Sequence, residues 1–333
     1  MTDVQSKPST TVVFCIESGY FESQTLLAIE SLRRFGGSMA NAPVLAITPR
    51  FGPSLTRQTL QRLDELEVTY IRRDLRHSLS WYGFMNKPIA VLLAEEYTST
   101  EQLIWLDSDV LIAAEPELLW LEPDIDFAAC PTDKNVGTSG PHDKNEPYWV
   151  ALSEYMNLNI DQLPWVVTEW KQERVRFSFN AGIFAFRRNT GLAKAYVEAC
   201  EKLVNSRIAY RGLGIGNNEQ PALGFAVICS DLRWRMLPES HNYNLSPEPQ
   251  GMYRREALHS AKILHYHKGL TQTQYAWTLA EIEATRPDLY NWLKDRLPLS
   301  TKVGGLHRML FRRVLREWRE RKRIRFEATC QGF

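Results

Sequence analysis

The chain has 333 residues, 44% hydrophobic and 24% charged, with 40 basic and 39 acidic side chains and a formal net charge of +1. That balance excludes bulk electrostatic attraction to nucleic acid, and the apolar fraction excludes general disorder. Charge is uneven, because Arg308, Arg312, Arg313, Arg316, Arg319, Arg321, Lys322, Arg323 and Arg325 crowd the C-terminal segment and leave the body mildly acidic.

In chain order, Thr11 to Ile16 is a short β-branched run that predicts a buried strand. Leu26, Ile29, Leu32 and Phe35 mark a helix stopped by Gly36-Gly37. Val44 to Thr48 predicts a second strand, closed by Pro49 and Gly52. Leu55 to Leu66 predicts a helix and Val68 to Ile71 a third strand. Asn86 to Tyr97 predicts a helix with Pro88 in its first turn, where proline is tolerated. The strand Gln102 to Leu106 then ends abruptly at Asp107-Ser108-Asp109, and an apolar run resumes at Val110 to Ala113. Further strands are predicted at Phe127 to Cys130, Gly182 to Phe186 and Ala261 to Tyr266. Alternating strands and helices imply βαβ units and a mostly parallel sheet flanked by helices, an α/β fold. From about residue 271 the text turns helical and then basic, which divides the chain into a catalytic domain, 1–270, and an arginine-rich helical extension, 271–333. In that extension Leu306, Met309, Leu310, Val314 and Trp318 fall on one helical face and arginines on the other.

Five scattered cysteines, Cys15, Cys130, Cys200, Cys229 and Cys330, form no CxxC pair. They point to free thiols in a reducing cytosol. Met1 to Thr10 shows no secretory signal, and no stretch reaches the ~18 apolar residues of a membrane span. A cytoplasmic protein is expected, with peripheral contact at the inner membrane face through the basic C-terminal helix.

Asp107 and Asp109 sit where a buried strand ends, and open parallel sheets bind ligands outside the carboxyl ends of their strands. Two carboxylates at i and i+2 there offer hard oxygens to Mg²⁺ or Mn²⁺ beside phosphate groups. A second D-x-D, Asp124-Ile125-Asp126, lies in a Pro-led, turn-like setting and lacks that placement. His265 ends another apolar run and can complete a metal site as a neutral imidazole. Lys268, three residues on, can meet a diphosphate or simply be solvated. Asn180, followed by Ala181 and Gly182, lets the backbone approach a ligand closely. Gly214 to Leu223 is a glycine-rich loop in which Glu219 and Gln220 either face a sugar ring or cap a helix.

Together and in this order, these segments resemble the GT-A fold (Rossmann-like) glycosyltransferases, closest to the glycogenin-type family 8 that includes bacterial lipopolysaccharide galactosyl- and glucosyltransferases. The resemblance covers roughly Thr11 to Leu270. It implies that Asp107, Asp109 and His265 are ligands of Mn²⁺ (or Mg²⁺). Lys87 would contact the donor, and Asn180 and Ala181 the donor sugar. Glu219 and Gln220 look like the family's Asp-Gln pair, and Leu237-Pro238 with Tyr243-Asn244 is similar to its L-P-x-x-Y-N stretch. Cys15, Glu17, Tyr20, Ser108 and Gly182, at or beside the same strand ends, complete the donor-binding set. The reaction implied is retaining transfer from a nucleotide-diphosphate sugar, a UDP-sugar first, to an unidentified acceptor.

The chain departs from the family pattern at Glu219, where Asp is usual, at Pro221, and in the tail His265-Tyr266-His267-Lys268-Gly269, which lacks the spaced Gly, Lys, Pro and Trp. One alternative is a nucleotidyltransferase, which would want a Gly-rich basic loop after the first strand; Glu17 to Glu22 is acidic and aromatic instead. Another is a non-catalytic sugar- or nucleotide-binding protein. Tyr148, Trp149, Tyr155, Trp165 and Trp170 either stack on an acceptor or pack the core of an insertion.

Overall fold

The computed structural model describes residues 7–75, 77–131, 137–169, 171–246, 254–271, 274–300 and 303–333; Trp170 lies outside them. The strands in chain order are β1 (Thr10–Cys15), β2 (Val44–Arg50), β3 (Val68–Leu75), β4 (Gln102–Leu106), β5 (Val110–Ile112), β6 (Phe127–Pro131), β7 (Trp165–Val167), β8 (Arg174–Arg176), β9 (Phe179–Arg187), β10 (Ile208–Ala209), β11 (Trp234–Met236), β12 (Tyr243–Asn244), β13 (Ile263–His265) and β14 (Gln331–Gly332). The α-helices are α1 (Tyr20–Phe35), α2 (Arg57–Glu65), α3 (Asn86–Tyr97), α4 (Glu146–Tyr155), α5 (Leu192–Asn205), α6 (Glu219–Cys229), α7 (Arg255–Ser260), α8 (Tyr275–Thr285), α9 (Pro287–Leu293) and α10 (Leu306–Glu327).

Seven strands form one sheet in the order β11-β6-β9-β4-β1-β2-β3. Its pairs are parallel except around β9, which runs against both β4 and β6. Apolar β1, β2 and β4 are buried on both faces, as strands covered by helices on either side must be. One core cluster holds Val13, Trp105 and Phe184 against α3 and α5; another holds Val12, Ile104 and Ile183 against α1. The expected α/β architecture, a mostly parallel sheet flanked by helices, is therefore met.

Helix α1 starts where Glu22 caps it: Gly19 N–H donates to Glu22 Oε1 at 2.9 Å, and the other carboxylate oxygen accepts from Thr56 N–H at 2.7 Å. It ends at Gly36-Gly37, with Gly37 at φ 58°, a conformation that suits glycine. Several boundaries differ from the sequence reading, those of β2, β9 and β13 among them. Strand β2 runs through Pro49 to Arg50, because its pairing with β3 shifts register between Thr48 and Arg50 and needs no ladder donor from the proline. Strand β9 begins at Phe179, since Phe179 pairs with Pro131 beyond the reach of β4. Strand β13 covers only Ile263–His265. It leaves the main sheet for a three-stranded one with β12 and β5, in which β5 runs antiparallel to it.

The aromatic residues between β6 and β9 divide. Tyr148 and Trp149 are fully buried in the main core, whereas Trp165 lies beneath the guanidinium groups of Arg174 and Arg176. After residue 270 the chain continues into a shared core: Ile282, Leu289, Leu293 and Leu299 pack with Leu27, Tyr243 and Leu264.

Helix α10 keeps much of its apolar face outward: Leu306, Leu310, Val314 and Trp318 are 71%, 53%, 63% and 44% exposed. The arginine side turns to the body instead. Arg308 donates to Ser54 O at 2.7 Å, Arg312 to Ser18 Oγ at 3.2 Å and Arg319 to Phe51 O at 2.6 Å. Its C-terminal end is fastened by Phe326 against Trp81, ring centroids 5.0 Å apart, and by β14 pairing with β10. Main-chain carbonyls at the ends of loops are good acceptors for guanidinium groups, and five donors per arginine satisfy them without a carboxylate.

Candidate active site

The ends of β1, β2 and β4 and the start of α3 enclose a cleft of about 340 Å³, lined by Cys15, Glu17, Arg50, Lys87, Asp107 and Asp109 among others. Asp107 and Asp109 leave the carboxyl end of β4 in the turn before β5, and β5 in turn pairs with β13. That pairing delivers His265 to Asp109, with His265 Nε2 3.1 Å from Asp109 Oδ1 across 156 residues of sequence.

The two groups are tuned by each other. Burial works to lower the His265 pKa, but the Asp109 carboxylate beside it raises it overall. Burial works to raise Asp109, but the charge and hydrogen bond of His265, with His267, hold it down at about 2. His265 Nδ1 donates to Asn242 Oδ1 at 3.0 Å, so Nε2 is the atom turned to Asp109. An imidazole nitrogen and a carboxylate oxygen at this distance require something positive between them, a proton or a cation. An outer partner fixing the tautomer in this way is the usual support of a metal-bound histidine. His267 stacks on His265 at 4.2 Å and places Nδ1 3.9 Å from Asp109 Oδ2. Its pKa is pushed down to about 4, by desolvation and then by His265, which leaves it neutral at pH 7. Among the described residues, Asp109, His265 and His267 are the group whose donor atoms lie close enough together to share one ion.

Gly182 explains why a glycine follows Ala181. A Cβ there would come within 2.7 Å of His265 Cε1 and 2.9 Å of Asn180 Oδ1. Asn180 folds its amide oxygen back onto Gly182 N–H at 2.8 Å.

Asp107 lies on the same wall in a different network. Its carboxylate accepts from Trp105 Nε1 at 2.8 Å and sits 3.2 Å from Lys87 Nζ. Lys87 also donates to Ala181 O at 2.7 Å and lies 3.5 Å from Glu219. Burial works against the charged lysine, but Asp107 and Glu219 together keep it protonated. Glu219 is 3% exposed and raised in pKa by burial, and Tyr196 donates its hydroxyl to it. Its side chain thus faces inward behind Lys87, and Gln220, half-buried on the first turn of α6, follows it. Glu17 forms a two-pronged ion pair with Arg50, both contacts 2.7 Å. Ser108 is half-buried on the turn between the two aspartates, and Tyr20 stands near Asp109, close enough for that carboxylate to help raise its phenol to about 12 after burial does so. Lys268 is exposed on the turn after β13.

The second D-x-D is structural, because Asp126 grips Arg233 at 2.8 Å from Nε and from Nη2. Residues that sequence reasoning did not assign are His267, Asn242, Trp105, Arg50 and Tyr196. His267 and Asn242 were within reach of it, since both sit one or two positions from motifs already singled out. Arg50 and Tyr196 carry no local signal.

A strand-end cleft with a convergent acid–imidazole pair has its counterpart in the sequence: the family described as the Rhodobacterales glycosyltransferase domain matches residues 12–213. The chain belongs to this glycosyltransferase family. Among solved structures this glycosyltransferase is similar to apo WbbM, a bifunctional glycosyltransferase, at 12% identity and TM-score 0.48, covering 89% of this chain and 53% of that one. It is also similar to an active-site mutant of LgtC, at 13% identity and TM-score 0.49, covering 89% and 98%. A third, GlyE of Streptococcus pneumoniae, shows 14% identity and TM-score 0.47, covering 94% and 65%. The chain thus spans about half the length of WbbM. No curated protein matches it.

Proposed function

We propose that this glycosyltransferase is a GT-A enzyme of the family 8 type that moves a sugar from a nucleotide-diphosphate donor, a UDP-sugar first, to an acceptor with retention at the anomeric carbon. The observation that supports this most is the meeting of Asp109, which lines the cleft, with His265 at 3.1 Å. Asp109 Oδ1 and His265 Nε2 would hold Mn²⁺ or Mg²⁺, with His267 the nearest further donor and Asp107 on the same turn. A mixed carboxylate and imidazole set suits Mn²⁺ well. When bound, the ion neutralises charge on the leaving diphosphate and acts as a Lewis acid.

The chain's own groups do the rest. Lys87, kept positive behind Asp107, adds to the potential that favours a diphosphate, and Lys268 on the rim can close over it. Asn180, half-buried beside His265, would meet the donor sugar, with Ala181 and Gly182 tied behind it to Lys87 and Asp107. Gln220 offers an amide near the sugar, while Glu219, buried behind Lys87, fixes that lysine. No side chain is assigned as a base, and the departing phosphate takes the acceptor proton.

Two measurements check the reading. A panel of nucleotide sugars incubated with Mn²⁺ should show one or a few that are hydrolysed and that raise the melting temperature; a panel without any response would remove the donor assignment. Gly182→Ala should weaken Mn²⁺ binding in the presence of UDP by about 10- to 100-fold, by displacing His265, as loss of a supporting contact does at other metal sites. Unchanged affinity by calorimetry would take His265 out of the ligand set.

The outward apolar stripe of α10, with Arg321, Lys322 and Arg325 beside it, supports a peripheral contact with an anionic membrane surface. No helix among the described residues is long and apolar enough to cross one. Co-sedimentation with phosphatidylglycerol vesicles should occur at low salt and fall severalfold in Val314→Asp; vesicle binding indifferent to that change would place the contact elsewhere.

A further inference from the structure

A groove of about 630 Å³ separates α10 from the ends of β1 and β2, and it adjoins the cleft through Glu17, Phe21 and Arg50, which line both. Arg312, Arg316 and Arg319 recur at i, i+4 and i+7 of α10 and so line one side of this groove together. None of the three has a carboxylate within ion-pair reach among the described residues. Arg312 is bonded only to Ser18 Oγ and Val303 O, and Arg319 to Phe51 O. The acid nearest at hand, Glu17, is already taken by Arg50. Arg319 Nε is buried and has no hydrogen-bond partner among the described residues, and burial, then the neighbouring Arg50 charge, press against its protonated form, with Glu17 offsetting them only in part. Three guanidinium groups without an ion-pair contact among the described residues, one with an unused buried donor, make a concentrated positive potential whose natural complement is a planar-forked or tetrahedral oxyanion. The groove is not purely polar: Phe21 and Met309 supply apolar wall alongside the arginines, and Leu306 and Leu310, more than half exposed, edge its mouth.

We propose that this groove is a second anion site, for the phosphate or diphosphate group of the acceptor, held by Arg312, Arg316 and Arg319. The acceptor part of this inference rests on the glycosyltransferase reading of the adjoining cleft; the anion site does not. Phosphate of this kind can come from a free phosphorylated compound or from a diphosphate on a lipid chain, and the apolar wall accommodates the second.

The test is titration of the full chain with inorganic pyrophosphate and with farnesyl diphosphate, in EDTA so that no divalent ion recruits either to the Asp109 site. At least one probe should bind. The double variant Arg312→Gln/Arg316→Gln should weaken that binding at least 10-fold, and Asp109→Asn should not. Arg316→Gln alone, at an exposed position without an ion-pair partner among the described residues, should still weaken it about threefold and guards against misfolding of the double variant. Tighter binding of farnesyl diphosphate assigns the lipid-borne source, and equal binding the free one. The proposal is overturned if neither probe binds, if the arginine variants bind as the parent does, or if Asp109→Asn abolishes binding. Retained probe binding in a chain that hydrolyses no sugar nucleotide would leave the groove standing and remove only the donor reading.

Discussion

Asp109→Asn is expected to lower Mn²⁺-dependent hydrolysis of the sugar nucleotide by about 10³-fold, roughly 4 kcal/mol of transition-state stabilisation. The amide keeps the shape of the side chain but forfeits the charge that holds His265 and would hold the cation. Asp109 stands a quarter exposed at the cleft, so the fold has little to lose from its neutralisation. Melting should stay within a few degrees of the parent. Turnover by Asp109→Asn equal to the parent would remove the metal site; a collapse of the melting curve would mean instead that the Asp109–His265 contact is structural. Asp107→Asn is the informative companion, because its carboxylate serves Trp105 and Lys87 in this structure. Loss of activity there with Mn²⁺ affinity intact would assign Asp107 to positioning Lys87, whereas loss of both would add it to the ligands.

The second large effect is on stability. Lys87 Nζ, 12% exposed, is the cation between Asp107 and Glu219. Lys87→Met fits the space and removes the charge, leaving two acids facing one another in a poorly solvated site. Breaking one partner out of a buried ionic network costs about 3–5 kcal/mol, whereas replacing the whole group with apolar residues is often neutral. Urea denaturation should therefore show Lys87→Met destabilised by about that much, and Lys87→Met/Glu219→Leu recovering a good part of it. A single variant within 1 kcal/mol of the parent would show that the network is more hydrated than its burial implies. The recovered double variant also separates stability from chemistry: if Lys87 contributes its charge to the donor, activity stays low when the fold returns.

What local sequence encodes falls off with separation along the chain. Helix α3 and strand β4 lie where periodicity and Gln102 to Leu106 place them, because a run of apolar residues ended by a hard polar break carries its own boundaries. Strand β2 overran its proline because a register shift in β3, invisible from either strand alone, removed the cost. The D-x-D turn and His265 were recognised as strand-end residues, but their meeting depends on β5 and β13 pairing across more than 150 residues. His267 lies two residues from His265 and is distinguished by the stacking and the approach to Asp109 that tertiary packing imposes.

Residue order alone was enough to define the α/β class, the cleft end of the sheet and the acids that stand at it, since these follow from local hydrophobic periods and where they stop. It was also enough to expect glycosyl transfer, through the order of several short motifs. Which carboxylate faces histidine and which faces Lys87, the inward turn of Glu219 and the outward apolar face of α10 arose from packing. Each depends on competition among distant partners for the same donor or acceptor. For α10 the loop carbonyls at Phe51 and Ser54 took the arginines and left the leucines outside, an outcome that no amphipathic pattern within one helix encodes.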